Sequence, residues 1–229
     1  MVKLSDILTP SFKSLRHEVS VDLVMPTMTM VHVCRSNDFD FFHPWLESGC
    51  LTIEQMKHAC ECYCLGKTKS GLPIFWMIDD MNIPLDAHIP QDKWLSSLLK
   101  GREPLLSSWR VRHCLFGLHL LTEKNVCVVE SEQSAVVLSE LFPESIWMAY
   151  ATTAHLSPDL FAPLQNRTVT IYPRTDSMMN TYLFFHDFAS LICKRYPSIT
   201  LRIDSTLENH ATASQKERCI DILDFIQNT

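Results

Sequence analysis

Val126-Cys127-Val128-Val129-Glu130-Ser131-Glu132-Gln133-Ser134-Ala135 decides the fold class. Four successive apolar residues, three of them β-branched, suit a strand covered on both faces rather than one with a wet side. The acidic and hydroxyl residues that follow favour a turn and a helix start, and an apolar helix is expected over 133–141. A strand covered on both faces and leading directly into a helix is the first half of a parallel β-α-β unit. Downstream the alternation continues. Strands are expected over 146–150, 168–172 and 199–203, and a brief helix over 157–164. Tyr182, Phe185, Ala189, Ile192 and Tyr196 recur at three-four spacing and place a long helix between the last two strands. Ser214 and Glu217 have capping-box spacing and are expected to open a final helix running to about Gln227. Residues 121–229 should therefore form a mostly parallel sheet flanked by helices.

Upstream the pattern is less regular. Thr52 and Gln55 form another capping box, and Ile53, Met56, Cys60 and Tyr63 share a face of the helix it opens. Pro73 to Ile78 and Ile83 to Ile89 are expected strands around the Asp79-Asp80-Met81-Asn82 turn. These segments make residues 46–120 a smaller α+β region. Residues 1–45 are an N-terminal arm of uncertain structure, with a Met-rich apolar stretch, Val24 to Cys34, that suits a strand pair or a partner-binding arm.

Composition excludes several classes. The chain has 229 residues, 46% hydrophobic and 20% charged, with 5 Gly and 12 Pro, which rules out a disordered or collagenous protein. No apolar run approaches the roughly 18 residues of a membrane span. The first twenty residues scatter Lys3, Asp6, Lys13, Arg16 and Glu18 through any candidate leader, so a cytoplasmic location is expected. Nine cysteines, an odd count without metal-framework spacing, are expected to be reduced. Cys60, Cys62 and Cys64, one residue apart, suit packing at a helix end better than zinc.

The net charge is −6, and it is uneven: residues 1–120 carry 12 basic and 13 acidic groups, residues 121–229 carry 8 and 13. Between residues 67 and 112 the seven bases Lys67, Lys69, Lys93, Lys100, Arg102, Arg110 and Arg112 outnumber five acids. That segment is the candidate for an anionic partner, with Trp94 and Trp109 among the bases. Phe75 and Trp76 suit a buried strand more than base stacking, and the His113-Cys114…His119 grouping suits core packing more than a nucleophile.

Val-Val-Glu-Ser-Glu-Gln-Ser-Ala (128–135), followed by a strand, a helix and Ile-Tyr-Pro-Arg-Thr-Asp (171–176), resembles the Toprim domain shared by bacterial DNA primases, topoisomerases and some nucleases. Upstream, Tyr63-Cys64-Leu65-Gly66-Lys67-Thr68, Pro73 to Asp79 and Cys114-Leu115-Phe116-Gly117 resemble the segment preceding Toprim in primases. Over residues 50–229 the chain is similar to primase-like Toprim proteins of bacterial mobile elements. The resemblance implies a Toprim-like sheet after a primase-core-like region, and metal-dependent nucleotidyl or phosphoryl transfer on DNA or RNA. It makes Glu130 and Asp176 the catalytic carboxylates and Glu130, Asp176 and Glu132 the ligands of Mg²⁺, with Mn²⁺ as substitute. Lys67, Lys93, Arg102, Arg110, Arg112 and Arg174 would bind nucleic acid.

Arg174 departs from the family, standing where the first Asp of its D-x-D motif belongs. A permanent cation there repels a metal ion but suits a phosphate. The same scaffold would then be a catalytically degenerate module that binds nucleic acid or protein. Glu130 also has a purely structural alternative as a helix-start partner. Asp221 and Asp224 lie near the family's third acidic motif, although a solvated acidic helix face accounts for them more simply. No zinc ribbon and no P-loop is found in the sequence, so replication or mobile-element proteins such as a helicase are expected partners.

Overall fold

The computed structural model describes residues 26–90, 93–99 and 112–228. The chain divides into two compact units, Met1–Leu120 and Leu121–Thr229.

In the first unit, the stretch 24–34 is neither a strand pair nor an arm over its described part. Thr27 accepts a hydrogen bond from the Met30 amide and opens helix α1, Met28–Val33. Met30, Val31 and Cys34 are buried in one core with Ile74, Trp76, Ile78, Ala87 and Ile89. A 3-10 turn, Asp40–Phe42, leads into α2, His43–Glu47, and buries Phe42 and Trp45. Helix α3, Ile53–Cys62, starts at the Thr52/Gln55 capping box as expected. It buries Ala59 and Cys60, while Ile53, assigned to that face, is exposed, because only the later turns of the helix reach the core.

Strands β1 (Gly66–Lys67), β2 (Pro73–Ile78), β3 (Pro84–Ile89) and β4 (Lys93–Trp94) form an antiparallel sheet in that order, and α4, Leu95–Leu99, follows β4. Asp79 shapes the β2–β3 turn, its Oδ1 accepting from the amides of Met81 and Ile83, and Asn82 takes the left-handed conformation a tight turn demands. Phe75 and Trp76 are buried, so they do not stack on bases. Gly66 lets β1 pass over Trp76: a Cβ there would meet the indole nitrogen at 3.0 Å.

The second unit has the expected α/β architecture. Strands β5 (Val126–Val129), β6 (Ile146–Ala149), β7 (Thr168–Ile171) and β8 (Thr200–Ile203) form an all-parallel sheet in the order β6-β5-β7-β8. The two central strands, β5 and β7, differ in exposure. β5 is buried at every residue, whereas β7 buries only Val169 and Ile171. Helix α5, Glu132–Leu141, packs on β5 and β6, and α6, Asn180–Arg195, packs on β8. The β5-to-β6 connection runs one way along the sheet and the later ones run back. With right-handed crossovers this sends α5 and α6 to opposite faces.

The end of the chain departs from expectation. A short helix, α7 (Thr206–His210), comes first, and the one helix expected from Ser214 gives way to two: α8 (Ala213–Glu217) and α9 (Ile222–Gln227). Thr212 and Gln215 form the box that opens α8, two residues ahead of the Ser214/Glu217 pair with the same spacing. Cys219 then takes a φ of 53°, which no helix tolerates, and Asp221 starts a new helix by boxing with Asp224.

Candidate functional site

The strand order places a topological switch between β5 and β7, since the chain leaves β5 toward one sheet edge and reaches β7 on its other side. Crevices at the carboxyl ends of such strands are where α/β sheets bind ligands. Glu130 follows β5, Tyr150 follows β6 and Arg174 lies just past β7. Register holds the three together. The Tyr150 amide donates to Val129 O (3.1 Å), the Ala151 amide to Glu130 O (3.0 Å), and the Tyr172 amide to Val128 O (2.8 Å). Ala151 sits at φ 60°, a conformation rarely adopted outside Gly, Asn and Asp.

Arg174 Nε lies 3.2 Å from Glu130 Oε2, with side-chain exposures of 48% and 23%. Burial raises the Glu130 pKa. The Arg174 guanidinium and the Tyr150 hydroxyl pull it back, and the neighbouring Asp221 and Glu132 carboxylates push it up again. Burial, and then the Glu130 charge, also raises the phenol pKa of Tyr150. Although the two side chains feel one another, the buried Tyr150 hydroxyl forms no hydrogen bond of proper geometry among the described residues.

The remaining implied residues have other positions. Glu132 is buried in the first turn of α5. Asp176 serves a helix start: its carboxylate accepts from the amides of Met178 (2.9 Å), Asn180 (3.0 Å) and Thr181 (2.7 Å) as the chain enters α6. Slight burial opposes ionisation there, but those amides prevail and lower its pKa to about 2. Asp221 is no solvated surface acid. It is half-buried, caps α9 and accepts a hydrogen bond from the Ser134 hydroxyl of α5. Its pKa is raised by burial, against the pull of that hydroxyl.

These positions do not suit the implied metal. Glu130 is paired with a guanidinium and Asp176 is spent on amides. Among the described residues no group of three or more His, Cys, Asp or Glu is placed to hold an ion.

The basic residues singled out upstream are not gathered by the described structure. Lys67 pairs with Asp38 at 3.2 Å and lies over the Phe39 ring. Lys93 is half-buried on β4, Arg112 is exposed, and Arg102 and Arg110 fall outside the described residues, as does Trp109. Trp94 stacks on His88 with ring centroids 5.0 Å apart. None of the nine cysteines is in a disulfide. Cys114 is a poor nucleophile, because burial first, and the Asp79 and Asp80 charges next, push its thiol up to about 12. The Cys60/Cys62/Cys64 group packs at the end of α3, where Cys62 Sγ lies 3.3 Å from His58 Nε2.

Tyr150 and Asp221 are the site residues that sequence reasoning did not assign correctly. Tyr150 carried a faint signal as the residue ending the second strand of a β-α-β unit, the position equivalent to Glu130 on the first.

The fold is α/β, with a topological switch point between β5 and β7 and the Arg174–Glu130 pair just past those strand ends. Residues 40–175, more than half of the chain, match the family described as Domain of unknown function (DUF6371), and the chain belongs to that family. No curated protein matches it significantly. No helix among the described residues is long and apolar enough to cross a membrane.

Proposed function

We propose that residues 121–229 form a Toprim-like module that binds nucleic acid through a phosphate on Arg174 and performs no metal-dependent phosphoryl or nucleotidyl transfer. The observation that carries this reading is the 3.2 Å pair between Arg174 Nε and Glu130. A divalent ion would neutralise carboxylates at such a position, and here the chain supplies the positive charge itself. Holding the guanidinium by Nε also leaves its two Nη groups without a partner among the described residues, on a side chain 48% exposed. That fork suits two phosphate oxygens, a geometry a lysine does not offer.

The surrounding acids limit the ligand. Glu130, Glu132 and Asp221 lie close together and the unit is acidic overall, so a long tract of phosphates is repelled and one phosphate contact is favoured.

Fluorescence anisotropy of a labelled single-stranded oligonucleotide tests the reading. Wild type should bind equally with Mg²⁺ and with a chelator, and Arg174→Ala should weaken binding by about ten- to a hundredfold, the worth of a charge-assisted bidentate contact. Binding that requires Mg²⁺ or Mn²⁺, or cleavage or extension of the strand that vanishes in Glu130→Gln, would instead support the metal-dependent enzyme.

A further inference from the structure

Tyr150 carries a buried hydroxyl that is close to a carboxylate yet makes no proper hydrogen bond to it. The residue is 4% exposed, its ring packs on Phe185 with centroids 5.2 Å apart, and its Oη has no hydrogen-bond partner among the described residues. Leaving such a group unpaired costs about 1–3 kcal/mol, and a phenylalanine would fill the same space without that cost. The hydroxyl lies beside the Glu130 carboxylate, on the neighbouring strand end, where the Val129–Ala149 register brings residues 130 and 150 abreast.

Glu130 explains the arrangement. Its partner is Arg174, and its other charged neighbours, Asp221 and Glu132, are repulsive. If a phosphate draws the guanidinium away, a carboxylate whose side chain is only 23% exposed loses its counter-charge, and a charge held partly out of water then needs another partner. The Tyr150 hydroxyl is a neighbouring donor that can take its place.

We infer that ligand binding is an exchange of partners on Glu130: Arg174 moves onto the phosphate, and the Tyr150 hydroxyl donates to the carboxylate it leaves. Tyr150 is thus a positioning residue, acting through Glu130 without touching the ligand. The inference rests on the reading that Arg174 receives a phosphate.

The same oligonucleotide titration tests it, with Tyr150→Phe made in wild type and in Glu130→Gln. In wild type the substitution should weaken binding about tenfold, the worth of one hydrogen bond to a charged group, without lowering the thermal midpoint. In Glu130→Gln it should cost nothing further, because the charge it serves is gone. Saturating oligonucleotide should also shift the tyrosine near-ultraviolet absorption to the red, and the shift should be missing from Tyr150→Phe. Unchanged affinity in Tyr150→Phe, equal losses in both backgrounds, or a spectral shift that persists without Tyr150 would each overturn the exchange. A weakened Arg174→Ala beside an unaffected Tyr150→Phe would sink the exchange alone. An unaffected Arg174→Ala, or a wild type that does not bind, would remove the phosphate reading and the exchange with it.

Discussion

At the scale of single residues, acidity separates structural groups from functional ones. His119 is half-buried, its Nε2 lies 3.0 Å from Cys62 O, and its buried Nδ1 has no partner among the described residues. Burial lowers its pKa below the usual 6.5, against the opposing effect of the Cys62 carbonyl. The folded protein therefore takes up this proton less readily than the unfolded chain. The stability it confers is complete above pH 6.5 and is lost as pH falls through the lowered folded value. Urea midpoints at pH 7.5 and 5.5 should show this decline, and His119→Gln, which keeps a donor for Cys62 O, should flatten it. An identical slope in the variant would assign the pH dependence elsewhere.

Asp176 makes the complementary case. As a helix-start carboxylate, its replacement by Ala should cost about 1 kcal/mol in urea unfolding, while oligonucleotide binding is not weakened. A metal ligand would show the reverse. Glu130 and Asp176 look alike in the sequence, each an acid just past a strand. What distinguishes them is which amides the following turn points inward, and that emerges only with the folded backbone. Arg174 was legible as an anomaly, but its partner was not, since 130 and 174 meet only once β5 and β7 are neighbours.

Among the elements, strands were more legible than helix starts. Val126–Val129 announces itself by β-branched content and full burial, and β6, β7 and β8 differ from expectation only at their ends. The last helices differ from expectation because two S/T-x-x-E/Q registers compete within six residues, 212–217. Thr212/Gln215 wins, and the left-handed Cys219 stops the helix it opens. Asp221 then caps α9 and receives the Ser134 hydroxyl, fastening α9 to the first turns of α5. Ser134→Ala should remove a partner from this half-buried carboxylate and destabilise the unit by about 1 kcal/mol, measured by urea unfolding followed by circular dichroism. Loss of no more than a few tenths of that would mean solvent satisfies Asp221 and the fastening is incidental.

For the whole molecule, the division between Leu120 and Leu121 allows a direct test of where function lies. Residues 121–229 expressed alone should unfold cooperatively on heating and keep the oligonucleotide affinity of the full chain. An isolated second unit that folds but no longer binds would move the ligand site to the basic stretch between residues 67 and 112. Salt provides an independent measure: one phosphate contact predicts that log affinity falls with log salt at a slope near −0.7 for a single strand. A slope several times steeper would mean a basic track, a result the acidic second unit does not lead one to expect.

The bond between Ser134 and Asp221 also imposes an order in time. During synthesis the chain emerges amino end first, so Glu130 is exposed to solvent long before Arg174 arrives to neutralise it, and Ser134 long before Asp221. A growing chain that already holds β5 to β8 still lacks the carboxylate beside the first turns of α5. The surroundings of Glu130 are therefore among the last features of the unit to mature, complete only once residue 221 has left the ribosome.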